Sequence, residues 1–355
     1  MWRRGAWYVG LAVLAVAAMP FAVPAVAAVY AVVWVYTWTH DPRARGNALA
    51  VLPVDPRRVL RCARALWGGV LDGLGGPTAA LVWAYVTGAV GRAARARDTA
   101  VRDIAYGPRA SHRLDLFVPL LEGAGSAGAA GAIVIVFPGY RWTHTRRARM
   151  YRPMAQTLCG AGLFVVLPRV GSTPRSALED LHVAVAWVAG NAANFGGDPR
   201  RVHLMGCGAG AHVCAMYGLA PAVRAWYGAA RAAGGGGGSA ARLLGDGDAD
   251  DELRLGMRGL RAARGVAGLV LVSGVYDLVA QRRYEAARCI EHMTAAARAF
   301  GGSAARELAW SPALVVRALR RRSAALPASL FAPSVLLIHG RLDSTCAASA
   351  WRAWP

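Results

Sequence analysis

A chain of 355 residues, 55% of them hydrophobic, holds enough apolar material for one large domain and an appendage. Its formal net charge of +21 comes from arginine alone, because lysine is absent. The arginines are scattered apart from Arg320–Arg322 and the stretch 141–152, and they lack the interleaved aromatics of a single-strand binder, so nucleic acid is not an expected partner. Cys62, Cys159, Cys207, Cys214, Cys289 and Cys346 form no C-x-x-C pair, which excludes a zinc pattern and a dense disulfide framework and predicts buried free thiols.

The first element is apolar. From Trp7 to Trp38 no charge interrupts the sequence, a run longer than the ~20 residues a helix needs to cross a bilayer. Arg3 and Arg4 precede it, and aromatic residues gather at both ends (Trp7 and Tyr8, then Trp34, Tyr36 and Trp38), as interfacial belts do. A membrane anchor is expected over 7–38, kinked at Pro20 and Pro24. The rival is a signal peptide cleaved near Ala25-Val26-Ala27, which the length of the run disfavours. A second apolar stretch, 66–90, carries Asp72 and Pro77 and reads equally as a second span or an interfacial helix. The loop between holds Arg43, Arg45, Arg57, Arg58, Arg61 and Arg64, and the positive-inside rule makes it cytoplasmic. The side on which the following domain lies then depends on whether the second stretch crosses. Residues 1–98 are thus expected to form a membrane region and 99–355 a separate domain.

From about Asp103 strands and helices alternate, which predicts a mostly parallel sheet with helices on both faces. Asp103–Tyr106 and His112–Val118 read as two strands joined by a turn at Gly107-Pro108. Ala132–Phe137 and Leu163–Leu167 are buried strands, with a helix around Arg146–Leu158 between them. Ser176-Ala-Leu-Glu179 has the form of a capping box opening a helix that runs to about Asn194. Val202–Met205 is the next strand and Ala209–Leu219 the next helix, and Gly268–Ser273 and Ser334–His339 are later strands. Residues 221–262, rich in Ala, Gly and Arg, read as a flexible surface insertion. The acidic run 246–252 is not a calcium loop, because Asp251 and Met257 stand where glycine and glutamate are required.

Between the strand at 202–205 and its helix lies Gly206-Cys207-Gly208-Ala209-Gly210, a nucleophile elbow of the G-x-S-x-G form with glycine in the serine position. With this elbow, several further motifs resemble the α/β-hydrolase fold, and in particular the carboxylesterases typified by isoprenylcysteine methylesterases. They are LDLFVP (114–119), Pro-Gly-Tyr-Arg-Trp (138–142), WVAGNAANFGGDPRRVHLMGCGAGAH (187–212), SGVYDL (273–278), Trp310-Ser311-Pro312 and LLIHGRLDSTC (336–346). The resemblance covers about 103–347, and the 187–212 block is its most specific part. It implies a serine nucleophile, an oxyanion hole in the turn after the third strand, an acid after a later strand and a histidine near the C-terminus. A serine hydroxyl needs an imidazole to take its proton, a carboxylate to orient that imidazole, and N–H donors to hold the tetrahedral oxyanion.

Position by position, the resemblance assigns the acid to Asp343, the oxyanion donors to the N–H groups of Gly139, Tyr140 and Ala209, and the nucleophile position to Gly208, which has no side chain. Cys207 lies one residue early, and its side chain is expected to point away from the site. His212 belongs to the Gly-Ala-His signature and His339 to the His-Gly turn, so neither is the expected base. His144, His182, His203 and His292 read as structural histidines. The family's histidine falls some thirty residues beyond Asp343, so the hydrolase fold is expected to be C-terminally truncated, without the last helix that would cover one face of the sheet. Two readings stay open: a carboxylic-ester hydrolase by ancestry, acting on a prenylated or other lipophilic ester at a membrane (an endomembrane, by resemblance), or a pseudoenzyme binding a lipid-like ligand or a protein there. No metal or organic cofactor is implied, and the oligomeric state is open.

Overall fold

The computed structural model describes residues 27–28, 30–35, 38, 55, 57–65, 100–119, 131–139, 142, 151–171, 173–232, 242–260, 266–291, 294–322, 327–331, 334–340 and 343. The chain divides into two compact units, Met1–Gly75 with Glu285–His292, and Gly76–Tyr284 with Met293–Pro355.

In the first unit, residues 27–28, 30–35 and 57–65 are helical. The 57–65 helix starts where the Asp55 carboxylate accepts the Arg57 N–H at 2.9 Å, an N-cap that satisfies one of the orphan donors of the first turn. Val33, Val59 and Cys62 form its buried nucleus, with Trp34, Trp38, Cys289 and Ile290 packed around them. The attachment of 285–292 to this unit departs from the sequence reading, which assigns that stretch to the large domain. Among the described residues no helix is long and apolar enough to cross a membrane. Most of the expected span over 7–38, and all of the stretch 66–90, lie outside the described residues.

The second unit is built on seven strands in the order β1-β2-β4-β3-β5-β6-β7. These are β1 (Ala100–Ala105), β2 (Arg113–Phe117), β3 (Gly131–Phe137), β4 (Phe164–Pro168), β5 (Gly197–Cys207), β6 (Gly268–Val272) and β7 (Val335–Ile338). Only the β1–β2 and β2–β4 pairings are antiparallel; the rest are parallel. The alternation in β3 divides the core: Ile133, Ile135 and Phe137 face one hydrophobic cluster, Val134 and Val136 the other. Helix α1 (Arg152–Gly160) covers the second face through Ala155. Helices α2 (Pro174–Asn191) and α3 (Ala209–Ala232) cover the first through Leu178, Leu181, Val213 and Met216. The chain leaves β3 toward β4 on one side and enters β5 on the other, so the sheet changes winding direction between β3 and β5. In open α/β sheets, ligands bind at that place, outside the carboxyl ends of the strands.

Three expectations are corrected here. The cap of α2 is Thr173, not Ser176: Pro174 at the first helical position holds the preceding residue extended, and Ser176 supplies the reciprocal bond of the capping box. Helix α3 does not stop at 219 but runs through Pro221 to Ala232, because Ala222, Val223 and Trp226 keep its inner face buried. The segment 221–262 is therefore no continuous flexible insertion. Its acidic run opens helix α4 (Gly247–Met257), where Asp246 caps the N-terminus and Asp248 and Asp250 complement the helix dipole. Asp250 is buried, accepting the N–H groups of Leu243 and Leu244 and the Tyr227 hydroxyl. Residues 233–241 and 261–265 of that segment lie outside the described residues. Helix α5 (Leu278–Ala287) belongs to this unit as far as Tyr284, and α6 (Ala295–Phe300), α7 (Ala304–Ala309) and α8 (Pro312–Arg322) complete it.

Candidate active site

The turn after β5 has the elbow geometry its glycine spacing predicts. Gly208 sits at φ +57°, its N–H donates to the Val272 carbonyl at 2.8 Å, and its carbonyl receives the His212 N–H at 3.2 Å as α3 begins. A Cβ at Gly206 would lie 2.5 Å from the Ala211 nitrogen, and one at Gly210 would strike the Phe137 carbonyl, so both flanking positions require glycine. Position 208 differs. A Cβ there would meet only the Gly139 carbonyl, at 3.4 Å, leaving steric room for a side chain that this chain does not supply.

Across the switch point lies the turn after β3, where a Cβ at Gly139 would overlap the Cys207 carbonyl. The two turns are thus in backbone contact. The Gly139 N–H, a candidate oxyanion donor, donates to the Tyr151 hydroxyl at 3.1 Å. Burial raises the Tyr151 pKa above its ordinary value, against the pull of that bond, so the phenol accepts as a neutral group. Ala209 opens α3, which leaves its N–H without a helical partner. Tyr140, the third candidate donor, lies outside the described residues.

His212 explains how this end of the sheet is held. The imidazole is fully buried; its Nδ1 accepts from Trp142 Nε1 at 3.2 Å, and its Nε2 donates to the Trp310 carbonyl at 2.6 Å. Both ring nitrogens are engaged, and burial lowers the pKa to about 4, so the ring is neutral and structural. It ties the turn after β3, the helix after the elbow and the Trp310-Ser311-Pro312 corner into one joint. Trp142 itself is held at φ +52°.

Asp343 lies beyond β7, and its carboxylate is 3.7 Å from His339 Nε2. Because Cys207, Val272 and Ile338 are in register across β5, β6 and β7, the loop bearing Asp343 leaves the sheet two strands from the elbow, roughly 10 Å away. His182 and His203 have lowered pKa values from burial and from the nearby charges of Arg224 and Arg201 respectively. His144 and His292 are outside the described residues. The Cys207 thiol is half-buried, and desolvation raises its pKa, the opposite of what activates a thiolate nucleophile. Of the five described cysteines all are free, and Cys62 and Cys214 are fully buried. Among the described residues no cluster could hold a metal ion.

Two polar groupings escaped the sequence reading. One is Tyr151 on the Gly139 N–H, for which no local signal exists. The other is Asp180, buried on α2, which accepts from the Gly171 N–H, Arg109 and His112. A carboxylate and a histidine both fully buried must pair with each other or with backbone, but nothing in their sequence positions says that they meet.

Residues 176–237 match the model of the carboxylesterase family. An isoprenylcysteine α-carbonyl methylesterase of Arabidopsis thaliana is 30% identical over 118 residues, which are 32% of this chain and 26% of that protein. Esterase LipQ of Mycobacterium tuberculosis is 31% identical over 123 residues, 33% of this chain and 28% of the esterase. The matched part thus spans about a quarter of the length of these relatives. A solved truncated carbohydrate esterase from gut microbiota superposes over 73% of this chain and 82% of its own at 19% identity and a TM-score of 0.48. The elbow and the mostly parallel sheet flanked by helices have the form of an α/β-hydrolase domain, and its 176–237 segment is similar to the carboxylesterase family. Over about a third of its length the chain is similar to an isoprenylcysteine methylesterase, and Gly208 stands at the apex of its elbow.

Proposed function

We propose that this is a membrane-attached carboxylesterase-type domain that receives a lipophilic carboxylic ester, of the prenylcysteine methyl ester kind, and holds it without elbow-serine hydrolysis. One observation carries the reading: Gly208 occupies the left-handed apex of an otherwise intact elbow, in contact with a turn whose Gly139 N–H is engaged by Tyr151. The apex has no atom to attack a carbonyl, and the opposite donor is not waiting for an oxyanion. The ester class is supported by the activity for which the plant relative is named, and the membrane attachment by the uncharged run from Trp7 to Trp38.

The test pairs two measurements on the detergent-solubilised full chain. S-farnesylcysteine methyl ester should bind saturably and be recovered unhydrolysed, and a fluorophosphonate probe should leave the protein unlabelled. Probe labelling or methanol release would overturn the absence of chemistry; failure to bind the ester would overturn the ligand class.

A further inference from the structure

The 57–65 helix presents a face that the hydrolase site does not use. Val59, Cys62 and Ala65 are buried on its inner side, while Arg57, Leu60, Arg61 and Arg64 are exposed on its outer side. Spacings of three and four residues place these outer residues in one stripe. Among the described residues no carboxylate meets the three outer guanidinium groups, and the helix itself carries no acid. In the same unit, the helix at 30–35 points Val32 outward at 69% exposure and Val35 at 47%, with Tyr30 beside them at 40%. The two helices share the Val33–Val59–Cys62 nucleus, beside which Trp34 and Trp38 lie with their rings 5.7 Å apart.

We propose that this unit docks on an anionic phospholipid surface, with Arg57, Arg61 and Arg64 contacting headgroup phosphates and carboxylates. Charge complementarity selects the occupant. Arginines with no carboxylate partner among the described residues and an exposed leucine on one helix, with outward valines and a tyrosine on the other helix of the unit, supply the two kinds of group a bilayer interface takes: charge for the headgroups and apolar side chains for the region just below. The paired Trp34 and Trp38 are amphipathic rings of the kind that anchor a protein at a membrane interface. A nucleic acid would satisfy the arginines but leave the valine face in water. The inference rests on the membrane attachment proposed above and adds a lipid preference to it.

The experiment uses the full chain reconstituted in phosphatidylcholine vesicles doped with a trace of dansyl-labelled lipid, reading energy transfer from tryptophan. Transfer to dansyl-phosphatidylcholine reports attachment, and the excess for dansyl-phosphatidylserine reports the arginine stripe. Each arginine near an anionic surface favours it by about five-fold, so a preference of at least that size is expected at low salt, shrinking at high salt. In the combined variant Arg57→Gln, Arg61→Gln, Arg64→Gln the preference should fall to none while transfer to phosphatidylcholine is unchanged. Glutamine keeps helix propensity at these exposed sites, so loss of folding is not a confounder. Equal transfer to both lipids in the unaltered chain overturns this inference alone; no transfer to either overturns the membrane reading with it. Binding of a DNA duplex that the triple variant abolishes, without a lipid preference, would assign the stripe to nucleic acid and overturn the proposal.

Discussion

Gly208→Ala isolates the conformational demand of the elbow from its chemistry. At φ +57° an L-residue brings its Cβ against neighbouring backbone, at a cost of about 1–2 kcal/mol relative to glycine. The nearest external atom to that Cβ is the Gly139 carbonyl oxygen at 3.4 Å, an ordinary contact, so little steric penalty is added. Alanine also restricts the unfolded chain, but that gain appears only where the native φ suits it. The expected net loss is about 1–2 kcal/mol, and a domain of this size should melt roughly 2–8 °C lower. Gly208→Ser should lose a similar amount, because the Cβ sets the penalty. Thermal melts of the two variants followed by circular dichroism check this. A melting temperature at or above that of the unaltered chain would refute the left-handed turn, and a far larger loss would show that the contact with Gly139 is tighter than the geometry gives.

The buried joint makes stability depend on acid. The His212 pKa of about 4 lies below the ordinary value of about 6.5, so its contribution is fully present above the latter and is lost as pH falls toward the former. Denaturant unfolding from neutral pH to about 4 should show a loss of up to roughly 3 kcal/mol, absent in His212→Gln. Trp142→Phe removes the donor to Nδ1 and should cost about 1–3 kcal/mol in the same assay, by leaving that buried acceptor unsatisfied. Tyr151→Phe should accelerate hydrogen exchange at the Gly139 amide while costing only about 0.5–1.5 kcal/mol; unchanged exchange would mean that the phenol does not hold that donor. Asp250→Asn turns an acceptor of three donors into a group that repels some of them, and limited proteolysis should then cut within 242–260 before the rest of the domain.

The parts of the fold that are visible in sequence are those where one physical rule acts alone. β3 and β4 are short apolar runs buried on both faces, and glycine at 206, 208 and 210 marks a turn where backbones nearly touch. The misreadings occur where two rules compete. Pro221 argues for a helix end, yet the burial of Val223 and Trp226 outweighs one lost backbone bond and carries α3 through it. The low apolar content of 242–257 argues for a loop, yet Leu243, Ala249, Leu253 and Met257 are buried in the core, and the Asp250 carboxylate with its three donors adds a polar tie. At the site, the glycine spacing marks the elbow apex at Gly208, whereas Gly139, Ala209 and Asp343 are assigned only through the family resemblance. The Tyr151 contact is legible in neither way, because a pairing between a side chain on α1 and a loop amide depends on the tertiary arrangement of the sheet.

The left-handed apex at residue 208 also bears on how such a chain can change over generations. Where a serine stands at this angle it is held against its own preference, and its replacement by glycine raises stability at once. Restoring the serine runs the other way, lowering stability before a base and a free oxyanion donor are both in place to make the hydroxyl useful. Substitution here is asymmetric, easy in one direction and obstructed in the other, and it works as a ratchet. Stability released at the apex also widens the set of later substitutions that the domain tolerates.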